Sequence, residues 1–233
     1  MGRVTVAGGN PGMKVPVTGI LAGTMAVGST VKLMESGTAV EYLVVNQGIP
    51  SNSSLYDSTC NGTWLLRKEI KVNRVFGSTN DYEGSPINTW LNGDFFTSLG
   101  TKDAVKQVRI PYVKDYAVKS GALGLLTKVF LLSITEAGWT IGQHSIFVDG
   151  DSVAYFKGAA DTDSKRIAYL NGAATAYFCR TADTEGSYSA DSVLSTGGFT
   201  TLRTSEAHGI RPALVLHKTA IFDKNTMVLK GVA

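Results

Sequence analysis

The chain has 233 residues, 43% of them hydrophobic, which is enough for one large domain with a full core. Its net charge of +3 is small and its Lys and Arg are scattered, which excludes a basic nucleic-acid-binding patch. We expect neither a membrane span nor a secretion signal, since no apolar run approaches ~18 residues. Abundant Gly (26, against 6 Pro) between short Val, Thr, Tyr and Phe runs is typical of a strand-rich protein with long loops.

Residues 1–24 are predicted to form a Gly-rich arm outside the main domain. The segment at 5–12 has too many Gly and turn residues to build a core. Ile20 and Leu21 favour an extended conformation, and such arms are often ordered only against a neighbouring subunit. Two alternatives remain, an arm that docks on another subunit and a frayed terminus.

A β-hairpin is predicted next, with strands at 30–34 and 40–45 joined by a turn at 35–38. A short buried strand is predicted at 64–66, after a polar loop. The clearest helix pattern spans residues 85–99, because Ser85 suits the N-cap and Pro86 the first helical position. The apolar residues that follow recur at helical spacing.

The pattern beyond this helix predicts a second, short helix at 102–108 and a buried strand at 129–132. Two hairpins are then predicted, around Asp149 and Gly150 and around Gly197 and Gly198. Their strands are expected at 145–148 with 153–156, and at 192–196 with 199–203. Further strands are predicted at 168–170 and 176–180.

An apolar run at 209–216 predicts the strand that closes the domain, although it contains Arg211 and Pro212. Proline cannot donate to a ladder, so it must lie at a strand start, an edge or a bulge. The C-terminal segment 219–233 is predicted as a tail, with a last strand as the alternative at 222–228.

Five of these features, in this order, resemble a bacterial and phage domain of unknown function. The features are a Trp-Leu-Asn helix at 90–92, a Phe-Leu-Leu-Ser strand at 130–133 with a Glu-Ala turn, an aromatic strand with Arg-Thr at 177–181, a strand pair from Val193, and a Gly-Ile-Arg-Pro-Ala-Leu run at 209–214. The resemblance covers about residues 25–218. Its structural signature consists of Trp90, Leu91, Asn92, Arg180, Arg211 and Pro212. Asn88 departs from the family, which usually has Arg there, and the strand at 177–181 replaces a Trp-rich one.

The resemblance implies an α+β fold similar to C-type lectins and formylglycine-generating enzymes. Such a domain, at 25–218, has small twisted antiparallel sheets, one main helix at 85–99, long loops and a strand-rich composition. We expect its closing strand to pair with the first strands near Val31 and Val44, which would tie the ends of the domain together.

The resemblance also implies a location on a virion or a bacterial cell surface. We expect a non-enzymatic phage structural or display protein of a tail, baseplate or capsid decoration. Residues 1–24 would dock on other virion proteins, and the domain would adhere to a host-surface glycan or protein as a homo-oligomer. A metal-dependent carbohydrate-binding module or an enzyme of the same fold is the alternative.

Few residues point to catalysis, and we expect neither a catalytic residue nor a resident cofactor. None of His144, His208 and His217 lies at a motif spacing from a nucleophile or carboxylate.

Cys60 and Cys179 are predicted as free buried thiols, and a single disulfide between them is the alternative. Two acidic segments, at 149–151 and 161–164, offer oxygen ligands for Ca²⁺ but equally suit turns.

Arg180 and Arg211 lie in apolar strand contexts. They would recognise a ligand's carboxylate or phosphate, or else be buried and bonded to loop carbonyls or to a carboxylate such as Glu136; we favour the structural role. For ligand binding, the mixture of aromatic and small polar residues at 182–208 is typical of a recognition surface. The candidate binding residues there are Tyr188, Phe199 and Arg203, and an ordinary polar loop is the alternative.

Overall fold

The computed structural model describes residues 19–51, 54–139, 147–158 and 162–233. Strands dominate these residues. Numbered in chain order they are β1 (Ile20–Leu21), β2 (Thr30–Glu35), β3 (Thr38–Gly48), β4 (Gly62–Arg67), β5 (Val72–Val75), β6 (Val108–Ile110), β7 (Tyr112–Lys114), β8 (Ala117–Lys119), β9 (Leu125–Thr127), β10 (Val129–Phe130), β11 (Tyr169–Leu170), β12 (Ala173–Ala174), β13 (Tyr177–Ala182), β14 (Ser189–Val193), β15 (Phe199–Arg203), β16 (Ala207–Ile210), β17 (Ala213–Leu216), β18 (Ala220–Phe222) and β19 (Leu229–Val232).

The main helix, α1, consists of an α-helical turn (Pro86–Trp90), a π-helical turn (Leu91–Phe95) and a last α-helical turn (Phe96–Ser98). A short helix, α2, spans Thr162–Arg166. A strand-rich fold with small, mostly antiparallel sheets and one main helix is therefore confirmed. None of the described helices is long and apolar enough to cross a membrane.

The first five-stranded sheet has the order β10-β17-β4-β3-β2 and is antiparallel throughout. Every residue of β4 and β17 is buried, and the Trp64 ring meets Phe130 edge-on at 5.4 Å. The predicted β2–β3 hairpin is confirmed. Its two-residue turn has positive φ at Ser36 (48°) and Gly37 (84°), which matches the right-handed twist of the strands.

The predicted helix at 85–99 is also confirmed, together with its cap. The Ser85 hydroxyl accepts a hydrogen bond from the Asn88 amide at 3.0 Å. Asn92, in the π-helical turn, joins α1 to β10. Its Oδ1 accepts from the amides of Lys128 (2.9 Å) and Val129 (3.2 Å), and its Nδ2 donates to the Val129 carbonyl (3.0 Å).

The second five-stranded sheet has the order β15-β14-β13-β16-β5. Its β14–β15 hairpin confirms the prediction around Gly197, whose φ is 88°. The β13–β16 pair is parallel, at Tyr177 opposite Gly209. A Cβ at Gly209 would lie 2.8 Å from the Ala176 carbonyl oxygen, so this close approach of two backbones requires glycine.

The closing run at 209–216 is not one strand, and that prediction was wrong. β16 lies in the second sheet and β17 in the first, and Arg211 and Pro212 link them. Pro212 has no amide to donate, and its carbonyl accepts from the Arg67 amide at 2.8 Å. The expected pairing of this run with the strands near Val31 and Val44 was also wrong, because β4 lies between β17 and β3.

The two ends of the described chain meet in a three-stranded sheet of order β1-β18-β19. Ile20 pairs with Phe222, and Ala22 is fully buried, so the last residues of the predicted arm belong to the fold. Residues 1–18 lie outside the described part. The strand suggested at 222–228 is instead a hairpin, with β18 ending at Phe222 and β19 beginning at Leu229.

Three further predictions need correction. The helix at 102–108 is only a 3₁₀ turn (Lys102–Ala104), since the Val105 amide closes that turn on the Lys102 carbonyl and the Lys106 amide bonds to the Val215 carbonyl of β17. The strand at 129–132 ends at Phe130, because the Leu131 amide bonds to the Tyr82 hydroxyl. Residues 147–148 and 153–156 form no strands. The amides of Val153 and Tyr155 bond instead to the carbonyls of Glu136 and Val45. Residues 145–146 lie outside the described ranges.

Candidate functional site

A buried network surrounds Arg180, which lies on β13 with no exposed surface. Its Nη1 and Nη2 bond to Oε2 and Oε1 of Glu136 at 2.5 and 2.7 Å. Its remaining N–H groups donate to the carbonyls of Pro111 (2.8 Å), Leu131 (2.8 Å) and Asp149 (2.9 Å). All five guanidinium donors are thus used inside the protein, and none is left for a ligand.

Glu136 is enclosed from its other side as well. Its Oε1 accepts from the Tyr56 hydroxyl at 2.9 Å and its Oε2 from the Ser133 amide at 3.0 Å. A Cβ at Gly150 would lie 2.5 Å from the Ser133 Oγ and 2.8 Å from the Glu136 Cγ, so glycine is needed for this closure. The pair is a fully satisfied buried ion pair, which holds the turn after β10 against β13.

Burial shifts the ionisation of the groups in this network. Desolvation alone would lower the pKa of Arg180, but the carboxylates of Glu136 and Asp149 raise it well above its ordinary value. Desolvation raises the pKa of Asp149 to about 7, against the opposing effects of Arg180 and Thr181. Desolvation, with the charges of Asp149 and Asp183, raises the pKa of Asp191 to about 8.

The acidic segments predicted for calcium have other partners. Asp149 accepts from the Thr181 hydroxyl at 2.8 Å, and Asp151 accepts from the Ser152 amide at 2.8 Å. Asp163 pairs with Arg166 in α2, and Asp161 lies outside the described residues. Within the described ranges, no three His, Cys, Asp or Glu side chains come together as metal ligands.

Both cysteines are free and buried. Desolvation raises the pKa of Cys60 to about 12 and that of Cys179 well above its ordinary value, so both are held as thiols. Among the histidines, His208 packs edge-on against Phe178 at 5.3 Å and His217 is exposed, while His144 lies outside the described part.

A surface cleft of ≈ 160 Å³ lies between the β7–β8 hairpin and the loop that joins β13 to β14. Polar side chains of Asn80, Asp81, Lys114 and Asp115 line it. Tyr116 also lines it and is 63% exposed. We call it the tyrosine cleft, since an equally exposed second tyrosine, Tyr188, follows its lining residue Ser187.

The β7–β8 hairpin fixes one wall of the tyrosine cleft. Val113 pairs with Val118, and the two-residue turn between the strands has positive φ at Asp115 (50°) and Tyr116 (55°). This turn type suits tightly twisted hairpins, but positive φ is costly for a bulky residue such as tyrosine. The fold therefore accepts local strain that holds the Tyr116 ring in solvent.

Asn80 fixes the opposite wall. Its Nδ2 donates to the carbonyls of Gly186 and Ser189, both at 2.9 Å, and lies 3.3 Å from that of Asp183. Its amide donates to the Ser187 carbonyl at 2.7 Å. Asn80 thus bonds along the loop at 183–188 and to the first residue of β14.

The three predicted binding residues do not form one site. Tyr188 and Arg203 lie at the same end of the β14–β15 hairpin, where Ser189 pairs with Arg203. Phe199 lies at the other end, about 13 Å along β15, and packs edge-on against Trp139 at 4.2 Å. Neither Tyr116 nor Asn80 was among the predicted binding residues. The hairpin that carries Tyr116 could have been predicted from the segment Val-Lys-Asp-Tyr-Ala-Val at 113–118, where Val113 and Val118 flank mostly polar residues.

The remaining signature residues hold elements together. Arg211 is 3% exposed and donates to the carbonyls of Arg67 (2.9 Å), Arg166 (3.1 Å) and Lys68 (3.1 Å). It also donates to the Tyr177 hydroxyl at 3.0 Å. These bonds fix the link between the two five-stranded sheets.

Residues 61–218 match the family model of a domain of unknown function, DUF6273, and the chain belongs to this family. The matched segment contains α1, the buried arginines and the tyrosine cleft. No curated protein and no solved structure matches the chain.

Proposed function

We propose that this member of the DUF6273 family is a phage virion protein that displays a C-type-lectin-like domain and binds a host-surface glycan. The tyrosine cleft is the binding site in this proposal. The observation that carries it is the preformed cleft itself, in which Asn80 fixes the loop beside Tyr188 and the β7–β8 turn holds Tyr116 in solvent. A rigid site loses little conformational freedom when it binds.

The chemistry of the cleft suits a sugar. Exposed tyrosine rings offer flat apolar faces for the C–H groups of a sugar ring, with a hydroxyl at the tip. Asp81 and Asp115 accept hydrogen bonds from sugar hydroxyls, and Lys114 donates to sugar oxygens. The buried network offers a ligand nothing comparable, because every donor of Arg180 is already bonded.

One feature supports the lectin-like part of the proposal. The loops lie on small, mostly antiparallel sheets beside one main helix, as the resemblance implies. The virion location rests on the resemblance alone. The part of the predicted arm that precedes β1 would dock on other virion proteins within a homo-oligomer.

A glycan array probed with the purified full chain tests the cleft. The wild type is expected to bind a subset of bacterial surface glycans. Tyr116→Ala and Tyr188→Ala should each weaken binding about tenfold, because each removes a stacking surface. Tyr169→Ala is the matched control, since Tyr169 is 42% exposed on the separate β11–β12 hairpin. Equal losses in all three variants would refute the site.

The virion location has its own test. Immunogold labelling with an antibody against this chain should decorate intact purified phage particles. If the particles carry no label while the cell lysate contains the protein, the display role is wrong, whatever the array shows.

A further inference from the structure

A second cleft, of ≈ 420 Å³, lies between the edge strand β5 and helix α1. Arg74, Thr89, Trp90, Gly93 and Asp94 line it. The segment at 81–84 borders both clefts, with Asp81 in the tyrosine cleft and Gly84 in this one, but the two clefts share no lining residue. Its volume lies in the range of small-molecule sites.

Arg74 differs from the buried arginines of this protein. Its guanidinium lies over the Trp90 ring, 4.6 Å from the centroid. Among the described residues, the Arg74 side chain forms this contact but no hydrogen bond or ion pair. Arg180 and Arg211, in contrast, direct their N–H groups at protein acceptors. The five donors of Arg74 are therefore free for a ligand.

The Arg74 guanidinium is also held in place. Trp90 packs partly buried against the hydrophobic core, and its ring lies 5.5 Å from that of Phe95. Stacking on this fixed ring restricts the guanidinium without using its N–H edge. Beside it, a Cβ at Gly93 would meet no atom within 4 Å, so the cleft is open there.

We propose that this second cleft binds the carboxylate of an acidic sugar of the uronic-acid type. The planar edge of Arg74 matches a carboxylate through two parallel N–H bonds. The Asp94 carboxylate in the same cleft accepts hydrogen bonds from sugar hydroxyls. Its negative charge opposes every anion, but it opposes doubly charged phosphate more strongly than a singly charged carboxylate. The inference rests on different residues from the tyrosine cleft and stands independently of it.

Calorimetric titration of the full chain at low ionic strength tests this site with sodium glucuronate, glucose and inorganic phosphate as probes. Glucuronate should bind, and glucose, which lacks the carboxylate, should bind about tenfold more weakly or not at all. Arg74→Gln should weaken glucuronate binding about tenfold at an unchanged melting temperature. The charge-matched control Lys224→Gln, in the exposed β18–β19 turn, should behave as the wild type.

Asp94→Asn tests the ligand class, because removal of its negative charge should admit phosphate while the amide oxygen still accepts from sugar hydroxyls. Tyr116→Ala should leave the glucuronate titration unchanged, which separates this site from the tyrosine cleft. Three results would overturn the inference: no glucuronate binding by the wild type, glucose binding of equal strength, or full glucuronate affinity in Arg74→Gln. Phosphate that displaces glucuronate from the wild type would show an anion site of another class.

Discussion

The buried network around Arg180 and the tyrosine cleft around Asn80 use similar residue types for opposite purposes. In the network, arginine, glutamate and tyrosine satisfy one another at 0–5% exposure. At the cleft, Asn80 bonds to backbone, whereas Tyr116 in the lining and Tyr188, which follows the lining residue Ser187, stay 63% exposed. Charged and aromatic groups are present in both regions. A structural cluster therefore differs from a recognition surface in that its hydrogen-bonding groups are paired within the protein.

The largest effect should come from breaking the network. Arg180→Met leaves the Glu136 carboxylate buried without its cation, so the free energy of unfolding should fall by about 3–5 kcal/mol. Urea denaturation measures this loss. The matched control is Arg203→Met, at an exposed position, which should change stability by less than about 0.5 kcal/mol. An unchanged urea midpoint in Arg180→Met would show that the ion pair is not structural.

The second-largest expected effect is a pH dependence of the free energy of unfolding, caused by the buried carboxyl group of Asp191. The folded-state pKa of Asp191, about 8, exceeds its ordinary value of 3.8, so the folded protein holds more protons than the unfolded chain between these pH values. This contribution to stability is complete below the unfolded pKa and is lost as pH rises through about 8. Asn cannot ionise, so the stability of Asp191→Asn relative to wild type should rise by a few kcal/mol from pH 5 to pH 9.

Thermal unfolding of both proteins across that pH range gives the comparison. Asp103→Asn, at an exposed position, serves as the control and should show no such trend. A difference between Asp191→Asn and wild type that stays constant with pH would mean that Asp191 is ionised in the folded protein throughout.

The third prediction concerns Arg211, whose acceptors are neutral, namely three carbonyls and the Tyr177 hydroxyl. Arg211→Leu should destabilise the fold by about 2–3 kcal/mol, because several buried carbonyls lose their donor. Glycan affinity per folded molecule should stay unchanged. Differential scanning calorimetry measures the loss of stability. A wild-type melting temperature in Arg211→Leu would contradict the structural role of Arg211.

The smallest stability effect is expected at the cleft itself. Asn80→Ala removes the bonds that hold the loop at 183–188, at a cost of about 1–2 kcal/mol. Hydrogen exchange of this loop should become faster, while β4 and β17 keep their protection. Asn92→Ala is the matched comparison, since it should loosen α1 and β10 but leave the loop at 183–188 protected.

The sequence predicted the features that rest on local signals. Ser85 and Pro86 predicted the start of α1. Gly37 and Gly197 predicted two hairpin turns, because each turn requires positive φ at its glycine. The turn at 115–116 lacks this signal and was not predicted. Asp115 and Tyr116 both adopt positive φ, but neither is a glycine.

Long-range partners explain the rest. The run at 209–216 is apolar throughout, and nothing local shows that its two halves enter different sheets. Val105 and Lys106 leave a helical pattern because β17 supplies bonding partners for the segment. For the candidate site, Tyr188 was found from composition, whereas Asn80 acts on a loop more than a hundred residues away in sequence, which no local pattern reveals.

The central claim is that recognition belongs to the tyrosine cleft and stability to the buried arginine network. It is tested most directly by measuring melting temperature and affinity for one array-selected glycan in Tyr116→Ala and Arg180→Met. We predict that Tyr116→Ala keeps the wild-type melting temperature and loses affinity, and that Arg180→Met melts lower but binds normally while folded. Loss of affinity in folded Arg180→Met, together with full affinity in Tyr116→Ala, would contradict the account.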